Sequence, residues 1–151
     1  MTARYLEDLS PGLIFNTGHK RVDREEILAF ARQFDPQPFH TDEAAARNSP
    51  FQGLAASGWH TAAMTMRLML DGEFKLAGGI LGVGFDDLSW PRPVRPGDEL
   101  HAKSEVLEVR PSKSRPDRGT IKVRTTTFNQ NDEPVMIFTG NLLVPRRPVS
   151  T

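Results

Sequence analysis

The chain has 151 residues, with 19 Lys plus Arg against 19 Asp plus Glu and no cysteine. A chain of this length most simply folds as one domain, residues 1–151, with a substantial core. Its formal net charge of zero argues against a nucleic acid or an anionic membrane bound through bulk charge, and it fits self-association into a homo-oligomer. The absence of cysteine excludes disulfides, thiolate catalysis and cysteine-ligated metals.

The location of the protein is inferred from segments that the sequence lacks. No apolar run approaches the ~18 residues needed to cross a bilayer. The N-terminal segment, MTARYLEDLSPG, has no apolar stretch of the signal-peptide type. We therefore expect a cytoplasmic protein without a membrane partner.

The first half of the chain predicts one strand and then helices. Residues 13–22 form the strand, although their apolar alternation is poor. Along 24–34 the apolar side chains recur at spacings of three and four, which predicts an amphipathic helix; they are Ile27, Phe30, Ala31 and Phe34. Pro36 ends that helix, and Thr41 is a good N-cap for a short helix over 41–47.

A further helix, from Gly58 to about Leu70, has apolar side chains almost all round. Its sequence is GWHTAAMTMRLML, in which Arg67 is the only fixed charge. A helix without a polar face is usually buried on several sides, and this one is too short to span a membrane. We therefore expect it to lie in the middle of the fold.

The second half of the chain is patterned as β-structure. Strand patterns cover 78–88, 100–109, 119–129 and 135–144. The apolar phase changes near 106–107, which predicts a β-bulge. Consecutive strands linked by hairpins form an antiparallel sheet. The sequence thus predicts an α+β fold in which an antiparallel sheet wraps around the apolar helix.

Two candidate catalytic residues, Asp35 and His40, stand five positions apart. Their side chains can share one water only if Pro36–Phe39 folds back as a turn, because five extended residues span roughly 16 Å. The N-terminus of the predicted 41–47 helix would disfavour imidazolium and keep His40 neutral. A general base with an acid partner is one interpretation, and ordinary turn chemistry is the other.

The start of the apolar helix, Ser57 and Gly58, is a second candidate half-site. The first N–H groups of a helix have no partner within the helix, and a glycine lets a ligand carbonyl approach without a Cβ in the way. Such donors stabilise a developing oxyanion by about 3 kcal/mol. The plainer interpretation is that Ser57 only caps the helix. Trp59 either lines an acyl pocket, belongs to the core or, together with His60, faces a subunit interface.

The rest of the sequence contains no metal-binding, nucleophile-elbow or phosphate-loop motif. No two histidines have metal-ligand spacing, so we predict no metal site. Several basic side chains in turns after β-segments either receive phosphates of a large anionic substrate or form a solvated surface; they are Arg92, Arg95, Lys113, Arg115 and Arg118.

Together these segments resemble the MaoC-like acyl dehydratases and R-specific enoyl-CoA hydratases. FDPQPFHTDEAAA is similar to the signature segment of that family, in which Asp and His precede an alanine-rich helix. Gln37 departs from the pattern, because the better-characterised hydratases usually have Asn there. GLAASGWHTAAM is similar to the start of the family's central helix, and SWPRPVRPGDEL to its strand entry. The likeness covers about residues 5–146.

The resemblance implies a hot-dog fold, a homodimer or higher homo-oligomer, and a CoA- or acyl-carrier-bound thioester substrate. It implies reversible hydration of a 2-enoyl thioester, with Asp35 and His40 as catalytic residues that hold the water. Substrate-binding roles fall to Gln37, Ser57, Gly58 and Trp59. No cofactor is required, since the reaction moves only water and a proton. A thioesterase on the same fold and a non-catalytic acyl-thioester binding module are the alternatives.

Overall fold

The computed structural model describes residues 2–149. Within that range a 3-10 turn at Leu6–Asp8 precedes four helices and six strands. The helices are α1 (Arg24–Phe34), α2 (Pro38–Thr41), α3 (Glu43–Arg47) and α4 (Gly58–Asp71). The strands are β1 (Ile14–Asn16), β2 (Lys20–Arg21), β3 (Leu81–Ser89), β4 (Glu99–Pro111), β5 (Arg118–Phe128) and β6 (Pro134–Pro145). None of these helices has the length and apolarity needed to cross a membrane.

The strands form one antiparallel sheet in the order β1-β4-β5-β6-β3, and β2 also pairs with β4. The long hairpins place Ser104 of β4 opposite Thr125 of β5, and Thr125 opposite Phe138 of β6. The β4–β5 register shifts between Val106 and Glu108, which confirms the predicted bulge. Strand β3 is left at one edge of the sheet, with β1 at the other.

Helix α4 connects two apolar clusters. Met69 belongs to the cluster formed with inward side chains of the sheet, among them Val123 and Met136. Met64 and Leu68 belong to a second cluster, which includes Ile27 and Leu28 of α1, Val94 and Leu100. Burying one such aliphatic side chain stabilises the fold by about 1.5–3 kcal/mol. An antiparallel sheet packed against an apolar helix, as the sequence predicts, is therefore confirmed.

The expectation that α4 is buried on several sides is wrong for a single chain. Trp59, Ala63, Met66 and Leu70 follow one another at spacings of four, three and four, so they share one helix face. All four are exposed, Trp59 by 59% and Leu70 by 44%. One chain buries only the opposite face of α4, and an apolar stripe is left in solvent.

Two further expectations about the first half of the chain are wrong in detail. The predicted strand 13–22 is divided into β1 and β2, and between them the Thr17 hydroxyl donates to the Gly18 carbonyl. Phe34, which the helical spacing places on the apolar face of α1, is 64% exposed. It is the last residue of α1, whose buried residues are Ile27, Leu28 and Ala31.

The short helix predicted at 41–47 begins two residues later and is preceded by another. Pro38 occupies the first turn of α2, where its missing N–H costs no hydrogen bond. Thr41 ends α2 and donates its hydroxyl to the Gln37 carbonyl. Asp42 is the N-cap of α3 instead, because its carboxylate accepts from the Ala44 N–H at 2.9 Å.

The contact between α1 and α4 is partly aromatic. The His60 ring of α4 stacks on the Phe30 ring of α1, with centroids 4.7 Å apart and planes 8° from parallel. Burial lowers the pKa of His60, so its ring is neutral in this apolar contact at neutral pH. The stack fixes α1 beside the start of α4, and the next residue after α1 is Asp35.

Candidate active site

A tight turn brings Asp35 and His40 together. The Gln37 N–H donates to the Asp35 carbonyl at 2.7 Å, and Pro38 then starts α2. One turn of α2 returns the chain, so that His40 Nε2 lies 3.4 Å from Asp35 Oδ2. The segment thus folds back, which is the condition for both side chains to act on one water.

The Ala55 carbonyl fixes the proton on His40. The ring is buried, and its Nδ1 lies 2.7 Å from Ala55 O. Because a carbonyl oxygen only accepts, Nδ1 carries the proton. In the neutral ring Nε2 is then an unprotonated acceptor that faces Asp35. The prediction that His40 precedes the N-terminus of a helix is wrong, because His40 lies within α2.

The Asp35 carboxylate accepts two side-chain hydrogen bonds. Gln37 Nε2 donates to Oδ1 at 2.5 Å, and Ser57 Oγ donates to Oδ2 at 2.7 Å. Partial burial raises the pKa of Asp35, but the hydrogen bonds from Gln37 and Ser57 lower it, and the pKa lies below its ordinary value. Asp35 is therefore ionised near neutral pH.

Ser57 and Gln37 contact the carboxylate and are not among the residues that line the adjacent cavity. Ser57 is fully buried, and its Oγ also accepts from the Trp59 N–H at 3.2 Å, so it caps α4 as the sequence predicts. No pattern in the sequence indicates the Ser57–Asp35 contact, because the two residues are 22 positions apart. Both Ser57 and Gln37 contact Asp35, and their substrate-binding role stays a prediction.

Asp35 and His40 face a cavity of about 330 Å³. The start of α4 lines the same cavity through Gly58 and Trp59, so the two candidate half-sites meet in one space. Its other walls are mostly apolar, namely Phe51, Ala56, Trp90, Pro91, Pro93 and Val94, with Thr61 and Arg92. Trp59 and Trp90 meet edge to face at 5.3 Å, so Trp59 is a wall of the cavity.

Gly58 packs directly against Trp90, and its backbone N–H is an unpaired donor in the part of the chain that the structure describes. A Cβ at Gly58 would lie 2.6 Å from Cε2 of Trp90, whose Nε1 donates to the Gly58 carbonyl at 3.1 Å. The glycine therefore makes room for the Trp90 indole, and the approach of a ligand carbonyl to Gly58 stays a prediction. The Gly58 N–H has no acceptor among residues 2–149, so it is available to a ligand.

Two contributors to the site, Ala55 and Trp90, were not found from the sequence, whereas Arg92 is one of the basic side chains that the sequence singles out. Ala55 acts through its backbone, which no side-chain pattern reveals. Trp90 and Arg92 line the cavity directly after β3. The signal that points to them is the Trp-Pro-Arg-Pro segment, since prolines stiffen a chain that leaves a sheet. Among the described residues, no three His, Asp or Glu side chains are grouped to hold a metal ion.

Known proteins share this chain's sequence and fold. A family model described as "MaoC like domain" matches residues 13–129. The crystal structure of a MaoC-like dehydratase from Rhodospirillum rubrum is 54% identical, with a TM-score of 0.94 over 97% of this chain and 100% of that chain. The uncharacterized protein YdeM of Bacillus subtilis is 34% identical over 92% of this chain and 96% of its own length.

A second relative has an assigned activity. The 3-hydroxybutyryl-CoA dehydratase of Methylorubrum extorquens is 30% identical over 112 residues, which are 74% of this chain and 69% of that protein. The match in structure confirms the hot-dog fold that the sequence resemblance implies.

The close contact of Gly58 with Trp90 predicts a measurable coupling. Gly58→Ala forces the indole to move, so we expect it to lower the free energy of unfolding by about 1–3 kcal/mol. The same substitution in a Trp90→Ala background should cost less than half as much, because the ring is gone. Chemical denaturation of the four proteins of this double-mutant cycle measures the difference. Equal costs in both backgrounds would show that Gly58 is not required for Trp90.

Proposed function

The chain belongs to the MaoC-like dehydratase family, and we propose that it catalyses the reversible hydration of a 2-enoyl thioester to a 3-hydroxyacyl thioester. One observation carries the proposal. The Asp35 carboxylate lies 3.4 Å from Nε2 of the His40 imidazole, whose Nδ1 donates to the Ala55 carbonyl, at the wall of a largely apolar cavity. The activity of the related 3-hydroxybutyryl-CoA dehydratase supports a CoA thioester as the substrate.

The catalytic water is held by two acceptors. In the proposed resting state the His40 ring is neutral, so its Nε2 and the ionised Asp35 Oδ2 are both acceptors and neither donates to the other. A water that donates one hydrogen to each satisfies both. Its oxygen lone pairs then point away from the two side chains, toward the cavity, where they can attack C3 of the substrate.

The proton balance of the reaction closes within this pair. His40 Nε2 removes one proton from the water as its oxygen bonds to C3. The C2–C3 π electrons move toward the thioester carbonyl and form an enolate. The proton passes from Nε2 to the adjacent Asp35 Oδ2 and then to C2, which ends the step. The thioester is unchanged, one water has been added, and no cofactor is needed.

The start of α4 supports the enolate. The free Gly58 N–H is at the positive end of a 14-residue helix, and it donates to the thioester oxygen as negative charge develops there. The aromatic walls formed by Trp59, Trp90 and Phe51 receive the acyl group and exclude bulk water. Arg92, half exposed at the rim and 3.5 Å from Glu133 Oε2, places a paired cation near the route of an anionic carrier.

Turnover is tested with purified protein and a short 2-enoyl-CoA, by following loss of the conjugated thioester absorbance. We expect hydration by the native chain and a loss of at least about 100-fold in kcat for Asp35→Asn and for His40→Gln. Asn keeps the size of the Asp35 side chain but removes the charge that holds the water. Gln removes the nitrogen that takes its proton.

His101→Gln is the matched control for these variants. His101 also lies beside an aspartate, with Nε2 3.3 Å from Asp132 Oδ1, but it does not line the cavity. Its substitution should leave kcat unchanged. Undiminished turnover in Asp35→Asn would contradict the proposed mechanism, and release of free CoA thiol in place of hydration would show a thioesterase.

The hydrogen bond from Gln37 predicts a change in the pH profile. It stabilises the charged form of Asp35, so Gln37→Met raises the pKa of that carboxyl. Hydration needs Asp35 in its ionised form. The acid limb of the pH profile of kcat/KM should therefore move to higher pH. Gln33→Met, an exposed glutamine on α1, is the control and should leave the limb in place. A limb that stays in place, or moves to lower pH, in Gln37→Met would contradict this role.

We also propose that the functional form is a homodimer joined through β3 and α4. The edge strand β3 presents Leu81, Val83 and Phe85 at 55%, 61% and 60% exposure. The apolar stripe of α4, from Trp59 to Leu70, is exposed as well. A second copy paired along β3 would cover unpaired strand edge and apolar surface together. Because Trp59 belongs to that stripe, the cavity would lie close to the interface.

Val83→Lys tests this interface by placing a charge within it. The native chain should have twice its monomer mass of 16.9 kDa in solution, and Val83→Lys should have the monomer mass. Light scattering after size exclusion measures both. Ile14→Lys, on the opposite edge strand β1, is the control and should remain dimeric. Dissociation by Ile14→Lys alone would place the interface elsewhere.

A further inference from the structure

The segment from Phe51 to Ala55 lies between Arg95 and His40. Arg95 is partly buried, and its guanidinium donates to two carbonyls of this segment, those of Phe51 and of Leu54, the latter at 3.3 Å. The same guanidinium packs against Gly53, where a Cβ would lie 3.1 Å from Nη1. The Arg95 side chain thus contacts three residues of one short loop.

The charge of Arg95 has no carboxylate partner of its own among residues 2–149. Asp98 is nearby, but its carboxylate accepts from the Arg95 backbone N–H. The guanidinium therefore directs its donors to backbone oxygens. Arg95 does not line the catalytic cavity, although Arg92, Pro93 and Val94 before it do. Any effect of Arg95 on the reaction must pass through the loop that it holds.

That loop contacts His40 in two places. The Ala55 carbonyl, one residue beyond Leu54, accepts the proton of His40 Nδ1 at 2.7 Å. The Phe51 ring lies 5.8 Å from the imidazole, between centroids. The loop is tied to α2 as well, because the Ala55 N–H donates to the Phe39 carbonyl at 3.3 Å. Fixing 51–54 therefore fixes the position of the Ala55 oxygen relative to His40.

The position of that oxygen decides which nitrogen of His40 is the base. With Ala55 O in place, the proton is on Nδ1 and Nε2 accepts. If the carbonyl moves away, the ring can instead carry its proton on Nε2 and donate it to the Asp35 carboxylate. In that tautomer Nε2 cannot take a proton from water, and the reaction loses its base.

We propose that Arg95 is a positioning residue that sets the tautomer of His40 through the Phe51–Ala55 segment. The kinetic part of this inference rests on the proposed function, whereas the tautomer can be observed without any turnover. The Arg95 side chain lies outside the catalytic cavity. It acts by holding the Phe51 and Leu54 carbonyls in place, and not by contact with the substrate.

The test compares Arg95→Met with the native protein by ring-nitrogen NMR on histidine-labelled samples. The native His40 should show the pattern of a neutral ring protonated on Nδ1. In Arg95→Met the signals should move toward the tautomer protonated on Nε2. In the hydration assay kcat should fall by about 10- to 100-fold, as for other small displacements of a catalytic group. KM should change little, because Arg95 is outside the cavity.

Two further variants make the result decisive. Arg47 and Arg95 both line a neighbouring depression of about 400 Å³. Arg47→Met is the control, because it also removes a guanidinium but Arg47, unlike Arg95, makes no hydrogen bond to the 51–55 segment. It should leave the His40 signals and kcat unchanged. Arg95→Lys keeps a donor near the two carbonyls. It should therefore restore part of the native His40 signals and part of kcat, and it can be measured even if Arg95→Met is too unstable to study.

The outcomes separate the competing explanations. A folded Arg95→Met with native His40 signals would overturn the inference, whatever its kcat. A rise in KM for a CoA thioester with an unchanged tautomer would show that Arg95 binds the substrate's phosphates. An altered tautomer in a protein without hydratase activity would support the inference and refute the proposed function.

Discussion

The hydrogen bond from Ser57 to Asp35 is the interaction on which the site depends. Asp35 follows the last residue of α1, and Ser57 is the N-cap of α4. Their contact at 2.7 Å joins the Asp35–His40 pair, which we propose holds the water, to the start of α4, which we propose holds the carbonyl. A hydrogen bond to a charged group contributes about 1.5–3 kcal/mol. The bond to Asp35 uses the only proton of the Ser57 hydroxyl, and the same oxygen accepts from the Trp59 N–H. The direction of both bonds is thereby fixed.

The protonation states of the pair follow from neighbours that are not part of it. The hydrogen bonds from Gln37 and Ser57 keep the Asp35 carboxyl ionised. The Ala55 carbonyl keeps the His40 proton on the far side of the ring. When the ring is neutral, two acceptors face each other at 3.4 Å, and one bound water can donate a hydrogen to each. In this account the resting site is arranged for water before any substrate arrives.

The sequence predicted those features that arise from local patterns. The helix predicted from Gly58 to about Leu70 follows from its N-cap and its apolar composition, and the hairpin-linked strands and the bulge near Val106 follow from alternation. The approach of Asp35 to His40 is only a condition at the level of sequence, because two prolines make a turn between them stiff but do not give its direction. The contacts of Ser57, Ala55 and Trp90 join segments far apart in the chain, and one sequence does not show such pairs. Gly58 illustrates the difference, since its position at a helix start was evident but the indole packed against it was not.

The fate of the oxygen atom of water tests the central claim most directly. The native chain is incubated with a 2-enoyl-CoA in water labelled with heavy oxygen, and the products are analysed by mass spectrometry. The proposed mechanism predicts one heavy oxygen in the hydroxyl at C3 of an intact CoA thioester, and no such product from Asp35→Asn. Heavy oxygen in a free carboxylate, with release of CoA, or no incorporation at all, would contradict the account.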